Sequence, residues 1–380
     1  MLPKNAELII NMFNDAGYEA YAVGGYMRDK LLGRNSDDID ITTNALPEQT
    51  KSVFSGFSVL ETGIKHGTVT ILIDHTPYEV TTYRTDGEYT DSRHPDNVEF
   101  VRDVKTDLAR RDFTMNAIAY SHRTGYLDFF GGFEDIKKKI IRTVGDPYKR
   151  FSEDALRILR ALRFSSVLGF AIEENTQKAI FDLADNIALV APERIFTELK
   201  KLLCGDNAYA VLKEYAAVLN RVIKLNGEVD NISKLPKDHS MRFAYVCGAS
   251  VGESLRFLRA DNQTKHICKM LVDSEPIPND ITDCRIYCSK LGREYSRIVF
   301  DYRKSLYNED QSGICEFVLE NDKCLSVSEL DINGNDLMGI CISGKNIRVV
   351  LNELLLCVLT DKIENKKESL LLKAKDIDIR

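Results

Sequence analysis

Gly24-Gly25-Tyr26-Met27-Arg28-Asp29, followed by Gly33 and then by Ser36-Asp37-Asp38-Ile39-Asp40-Ile41, is the stretch on which the rest of the chain turns. The glycine pair reads as a turn opening a short helix, and Gly33 closes that helix after Leu31-Leu32. A strand then carries two carboxylates one residue apart. Strand side chains alternate faces, so Asp38 and Asp40 project from the same face. Two carboxylates held side by side repel each other unless a cation lies between them. An oxygen-only set suits a hard ion such as Mg2+. The free N–H groups at the start of the Gly-Gly helix favour phosphate. A D-x-D alone is usually a solvated strand end, and a Gly-Gly alone is usually just a turn. Together, with Arg28 one helical turn past the glycines, they suggest a metal site beside a phosphate cradle, and hence phosphoryl or nucleotidyl transfer.

Outward from this stretch the first 130 residues read as α/β. Leu8, Ile9, Met12 and Phe13 have helical spacing, and Gly17 ends the helix. Tyr21-Ala22-Val23 is a short buried strand. Leu46-Pro47-Glu48 starts a helix with proline in its first turn. Residues 68–73 and 78–83 are β-branched and aromatic, hence strands, joined as a hairpin by Asp74-His75-Thr76-Pro77. Residues 85–97 are polar and punctuated by Gly and Pro, and read as a mobile loop. Past Gly131-Gly132 helical periodicity dominates. Ser152-Glu153-Asp154 opens a helix with Leu156, Leu159 and Leu162 on one stripe and Arg157, Arg160 and Arg163 on another. Residues 226–238 and 274–282 look like linkers. A long apolar helix runs from Ile347 to about Ile363.

The chain has 380 residues, 44% apolar and 29% charged, ordinary values for a soluble globular protein with room for several domains. It holds no apolar run of about 18 residues, and Met-Leu-Pro-Lys-Asn-Ala-Glu is not a signal-peptide pattern, so the expected compartment is the cytoplasm. All nine cysteines lie at or beyond Cys204 in scattered spacing. Cys284 and Cys288 make only a C-x3-C pair, and reduced buried thiols are a better reading than zinc. The net charge of −7 argues weakly against a nucleic-acid partner. Arg110-Arg111, Lys137-Lys138-Lys139 with Arg142, and Lys149-Arg150 through Arg163 nonetheless allow a local basic groove.

Three further groups carry chemistry. Glu79 alternates with Tyr78 and Val80 on a neighbouring strand, so its carboxylate could face the Asp pair or could simply face solvent. Arg110-Arg111-Asp112-Phe113-Thr114-Met115-Asn116 joins two guanidinium groups to an N-cap-like Asp. Arg111 suits a triphosphate, and Asp112 and Asn116, four apart on a helix, suit a ribose. Asp154 and Arg157 stand at i and i+3, so their heads meet. Such a pair is most often a plain salt bridge. Its sharper use is to read a base, the Asp accepting from an exocyclic amine and the Arg donating beside it. Cytosine and adenine offer that amine. Guanine and uracil offer a carbonyl, a mismatch costing about 1–3 kcal/mol. Arg160 and Arg163 extend the row towards phosphates.

These motifs resemble the bacterial-type tRNA nucleotidyltransferases (CCA-adding enzymes) and the related bacterial poly(A) polymerases. The resemblance is carried by GGYMRD, DDID, ETGIKHGTVT, YEVTTYRTDGEYTDSRHP, RRDFTMNAIA, EDALRILRALRF and ERIFTELKKLL across about residues 15–205, with a weaker echo at INGNDLM near the end. It implies an α+β protein: a nucleotidyltransferase head (1–130), then an all-helical neck (131–205), body (206–275) and tail (276–380). It implies that Asp38 and Asp40 bind the metals, here read as Mg2+, that Gly25, Arg28 and Arg111 contact triphosphate and sugar, with Gly24 joining them from the glycine-turn reading above, and that Asp154 and Arg157, with Arg160 and Arg163 beside them, template the base. The implied reaction adds C, C and A to the tRNA 3′ end from CTP and ATP without a nucleic-acid template, releasing pyrophosphate. Neither a membrane nor a stable protein partner is implied. The loop with Asp86-Gly87-Glu88-Tyr89 and Arg93-His94-Pro95 disfavours a CC-only enzyme, though where many relatives have Arg-Arg-Pro this chain has His94. The alternatives are an A-adding enzyme or poly(A) polymerase of the same fold, and a non-catalytic RNA-binding protein. No His-Asp phosphohydrolase motif is seen in the middle region.

Overall fold

The computed structural model describes residues 2–86, 98–309, 312–322 and 324–377. The loop expected over residues 85–97, with Asp86-Gly87-Glu88-Tyr89 and Arg93-His94-Pro95, lies from residue 87 to 97 outside the described residues. Two compact units form: residues 1–225 with 253–260, and residues 226–252 with 261–380.

The first unit opens with α1 (Lys4–Asp15), β1 (Ala20–Val23), α2 (Gly25–Leu31), β2 (Asp40–Thr43) and α3 (Pro47–Val53). Strands β3 (Ser58–Gly63), β4 (Thr68–Ile73) and β5 (Thr76–Thr82) follow, then a ribbon of β6 (Arg84–Asp86) and β7 (Val98–Phe100). After α4 (Val104–Ala109) come β8 (Ile118–Ser121) and β9 (Gly125–Asp128). The seven-stranded sheet runs β3-β4-β5-β2-β1-β8-β9. All neighbours are antiparallel except β2 and β5, which are parallel with Asp40 opposite Glu79. Alternation in β4 buries Val69, Ile71 and Ile73. These pack with Ile9, Phe13, Met27, Ile41 and Phe54 on one face of the sheet. Tyr21, Val23, Tyr83, Leu108 and Ala119 form a separate core. The β4–β5 turn is tighter than the sequence suggested. Ile73 pairs with Thr76, leaving Asp74 and His75 as a two-residue turn at φ 50° and 61°.

Helices α5 (Gly132–Lys138), α6 (Pro147–Glu153), α7 (Leu156–Leu168), α8 (Glu174–Asp182), α9 (Pro192–Leu203), α10 (Ala208–Glu214) and α11 (Ala216–Leu219) complete this unit, with Glu253–Ala260. A parallel pair of two-residue strands, Ile140–Ile141 with Ala171–Ile172, interrupts the helical run. The expected helix start at Ser152-Glu153-Asp154 is corrected. Helix α6 ends there, Asp154 is extended (φ −145°, ψ 101°), and α7 begins at Leu156.

The second unit is helical: α12 (His239–Cys247), α13 (Val251–Phe257, whose residues from Glu253 belong to the first unit), α14 (Asn262–Val272), α15 (Ile281–Leu291), α16 (Arg293–Tyr307), α17 (Ser312–Asn321), α18 (Gly334–Met338), α19 (Lys345–Leu359) and α20 (Lys367–Lys375). Neither expected linker is a loose connection. Val229, Ile232 and Leu235 are buried. Ile277 is buried too, and its N–H donates to Glu309, which also grips Arg303. Helix α19 stops at Leu359, short of the expected Ile363, because Asp361 turns left-handed (φ 53°) and Lys362 N–H closes on Cys357 O. None of the nine cysteines is in a disulfide, and seven of them are buried in this unit. Among the described residues no helix is long and apolar enough to cross a membrane.

Candidate active site

Of the glycine pair, Gly24 does what only glycine can. Gly24 sits at φ 76°, and a Cβ there would stand 3.1 Å from Arg111 Nη1 and 3.4 Å from Asp40 Oδ2. The chain therefore passes close against one carboxylate and one guanidinium as α2 begins. The two aspartates are not both on the strand. β2 starts at Asp40, and Asp38 lies just ahead of it, exposed, with Ile39 buried between them. Glu79, exposed on β5, is in register with Asp40, so the two side chains share a side of the sheet. Burial pushes the Asp40 carboxyl above its ordinary range. Arg111 pulls it back, and the charges of Asp38 and Glu79 push it further up.

The arginine arm leaves the end of α4. Asp107 is fully buried and accepts from Arg110 Nε at 2.9 Å and Thr42 Oγ1 at 3.2 Å, with Arg111 Nη2 at 3.6 Å. Burial opposes that charge, but Arg110 and Arg111 outweigh it and hold Asp107 below the usual carboxylate range. Asp112 and Asn116 are not on an α-helix as expected. Phe113 is extended (φ −128°, ψ 148°), and Thr114–Asn116 is a single 3-10 turn. The turn still brings them together. Asn116 Nδ2 donates to Asp112 Oδ1 at 3.0 Å, Arg28 Nη1 donates to Asn116 Oδ1 at 2.8 Å, and Arg160 donates twice to Asp112 Oδ2, at 2.9 and 2.6 Å. Burial works against the charge of Asp112, yet Arg160 and Asn116 bring its carboxyl down to about 2.

Asp154 and Arg157 are not paired with each other. Arg157 Nη1 donates to Glu153 Oε2 at 2.9 Å and to Arg150 O at 3.2 Å, and its Nη2 donates to Arg110 O at 3.2 Å. The extended break at Asp154 turns its carboxylate elsewhere. It accepts from Leu156 N–H at 3.1 Å and from Arg194 Nη2 at 2.9 Å. Arg150 adds a bond to Ala109 O at 2.6 Å. Arg163 Nε lies 2.6 Å from Glu198 Oε2. Gly24, Gly25, Arg28, Asp40, Arg111, Asp112, Asn116, Asp154, Arg157, Arg160 and Arg163 line one cavity of about 440 Å³, together with Arg110, Leu156, Phe164 and Arg194. Asp38 and Glu79 are not among its lining residues. Seven guanidinium groups against three carboxylates give this cavity a positive lining on an acidic protein, which suits a polyanion.

Sequence reading gave no individual site role to Asp107, Glu153, Arg150, Arg194 or Glu198, although Arg150 lay in its basic run. Glu153 stands four before Arg157, a spacing that pairs them on a helix, and a second signal lay further on. Arg194 and Glu198 stand four apart after Pro192 in ERIFTEL, so they share a helix face.

Residues 20–142 match the poly A polymerase head domain, and residues 169–217 match the probable RNA and SrmB-binding site of polymerase A. A CCA-adding enzyme of Leuconostoc mesenteroides is 53% identical over 204 residues, which cover 54% of this chain and 50% of that protein. The matched stretch thus spans half of that relative. A CCA-adding enzyme of Geobacillus kaustophilus is 36% identical over 382 residues, covering 95% of this chain and 93% of that one. The crystal structure of the Bacillus stearothermophilus CCA-adding enzyme in complex with CTP superposes with a TM-score of 0.87 at 31% identity, covering 99% of this chain and 98% of that one. With a relative matched along nearly its whole length and a solved structure matched end to end, this chain belongs to the CCA-adding enzyme family.

Proposed function

We propose that this chain adds C, C and A to the 3′ end of tRNA, using CTP and ATP and releasing pyrophosphate. The observation that carries the reading is that Asp154 and Arg157 line the same cavity as Gly24, Gly25 and Asp40. A base-reading edge and a phosphate-seating turn so arranged can serve one nucleotide. Gly24, Gly25, Arg28 and Arg111 seat the triphosphate and sugar. Asp112 and Asn116 stand at the ribose and also fix Arg160 and Arg28. Asp154 accepts from the exocyclic amine of C or A, and Arg157 donates beside it. Its bonds to Glu153 and to two main-chain carbonyls hold that donor still. Arg160 and Arg163 complete the row. The terminal 3′ oxygen attacks the α-phosphorus, the bond to the β-phosphate breaks, and the hydroxyl proton is lost to solvent.

We propose that Asp38 and Asp40 would hold a divalent cation, Mg2+, with Glu79 in register beside Asp40; among the described residues no three His, Cys, Asp or Glu side chains are gathered into a metal cluster, so the reading rests on the chemistry of the donors. Those donors are all oxygen, and Asp40 is pushed towards its neutral form by burial and by Asp38 and Glu79, a conflict that a cation relieves. When bound, such an ion supplies Lewis-acid activation and charge neutralisation at the reacting phosphate. Residues 1–130, 131–205, 206–275 and 276–380 are proposed as head, neck, body and tail, the tail gripping tRNA by backbone and shape. The disulfide-free cysteines support the cytoplasm as the compartment.

The test is incubation with tRNA lacking its 3′ end and each labelled nucleotide. Addition that stops after CCA supports the proposal. The match to the poly A polymerase head domain favours a second reading, and long A tails would select it. No incorporation with Mg2+ present would sink both.

A further inference from the structure

Arg194 stands in the first turn of α9, 40 residues from Asp154, yet its Nη2 donates to Asp154 Oδ2 at 2.9 Å. We infer that Arg194 is a positioning residue for nucleotide selection, fixing the Asp154 carboxylate in the one orientation that reads a base. The inference rests on the proposed base-reading role of Asp154.

An Asp carboxylate rotates broadly about its terminal bond, and a rotating acceptor discriminates poorly. Here both oxygens are tied, Oδ1 by the Leu156 N–H at 3.1 Å and Oδ2 by Arg194. Each carboxylate oxygen keeps a second lone pair, so these ties leave an acceptor for the exocyclic amine. The neighbouring arginines are committed elsewhere. Arg157 is bonded to Glu153 and two carbonyls, Arg160 to Asp112, and Arg163 to Glu198. Arg194 Nη1 is buried with no hydrogen-bond partner, as is Arg163 Nε, and the ion pair of the Arg194 guanidinium is with Asp154. The turn that carries it is itself anchored, by Pro192 at the helix start and by Glu193 on Arg259 at 2.9 Å. Asp154 is thus clamped between the start of its own following helix and a guanidinium from another.

The experiment compares full-length wild type, Arg194→Met, Arg194→Lys and Asp154→Ala on tRNA lacking CCA. It measures kcat/KM for CTP against UTP and for ATP against GTP, with tRNA Kd alongside. Arg194→Met keeps an unbranched stem out to about the position of Nε and removes the guanidinium fork. It should lower both discrimination ratios by about ten- to a hundredfold, the loss of one charge-assisted hydrogen bond, with tRNA Kd unchanged. Arg194→Lys keeps the charge without the planar fork, and its ratios should fall between wild type and Arg194→Met. If Arg194→Met does not fold, the lysine variant decides alone, and wild-type ratios there overturn the inference. Unchanged ratios in Arg194→Met alongside collapsed ratios in Asp154→Ala overturn the inference and leave the base-reading role standing. Unchanged ratios in Asp154→Ala overturn that role and the inference with it.

Discussion

Asp112 is an ionised carboxylate in a place that resists charge, and its neighbours decide the outcome. Its carboxyl is held at about 2 against an ordinary 3.8. A lowered carboxyl stabilises the folded state above the ordinary value, and the benefit is lost as pH falls towards the lowered one. Asp112 therefore contributes about 2 kcal/mol at neutral pH. We expect the wild type to lose urea resistance more steeply below about pH 4 than Asp112→Asn does; equal slopes would refute this. Asp40→Asn and Asp38→Asn should each cost at least about a hundredfold in incorporation while tRNA retention on filters stays near wild type. That Gly24, Gly25, Arg28 and Asp40 meet in one cavity was legible, because a glycine pair and paired carboxylates in that order have few other uses. The partners of Asp154 and Arg157 were not. Their i, i+3 spacing pointed to each other, whereas Arg157 chose Glu153 one position earlier and Asp154 chose a residue 40 positions later.

Among elements, α7 and α9 are pressed together at Gly205. A Cβ there would meet Ser166 Oγ at 2.1 Å and Ser166 C and O at 2.6 Å. Gly205→Ala should destabilise the protein by about 1–3 kcal/mol, read as a lower urea midpoint. An unchanged midpoint would mean that the helices slide apart freely. Gly132 makes a second such contact, its Cβ position 2.4 Å from Thr114 O. The strands were readable because β4 alternates cleanly and β5 is rich in β-branched residues. The break at Asp154 was not, because apolar spacing runs straight through it, and only an Asp side chain bonded to the Leu156 N–H marks the restart. The segment at 226–238 misled by composition. Its glycine and asparagines are real turn formers, but Val229, Ile232 and Leu235, three apart, are its packing face.

At the level of the whole molecule, eight of the nine cysteines lie in the second unit, seven of them buried, and the chain has no tryptophan. Apart from the half-buried Cys204 of the first unit, thiol reactivity is therefore a reporter for one unit. Cys341 is exposed and should react at once with an aromatic disulfide reagent in the native protein. The seven buried thiols should react only as that unit opens. Several fast thiols under native conditions would contradict the packing of Cys284 against Cys315, whose sulfurs lie 3.2 Å apart. Within the first unit, Arg150 and Arg157 reach the carbonyl oxygens of Ala109 and Arg110. Those acceptors belong to the main chain, which every residue possesses. Replacing the side chain of Ala109 leaves the link intact, whereas replacing Arg150 or Arg157 removes one of its two donors. The joint between the arginine arm after α4 and the residues around Asp154 is therefore one-sided in heredity, with its acceptor half written into the backbone and only its donor half exposed to mutation.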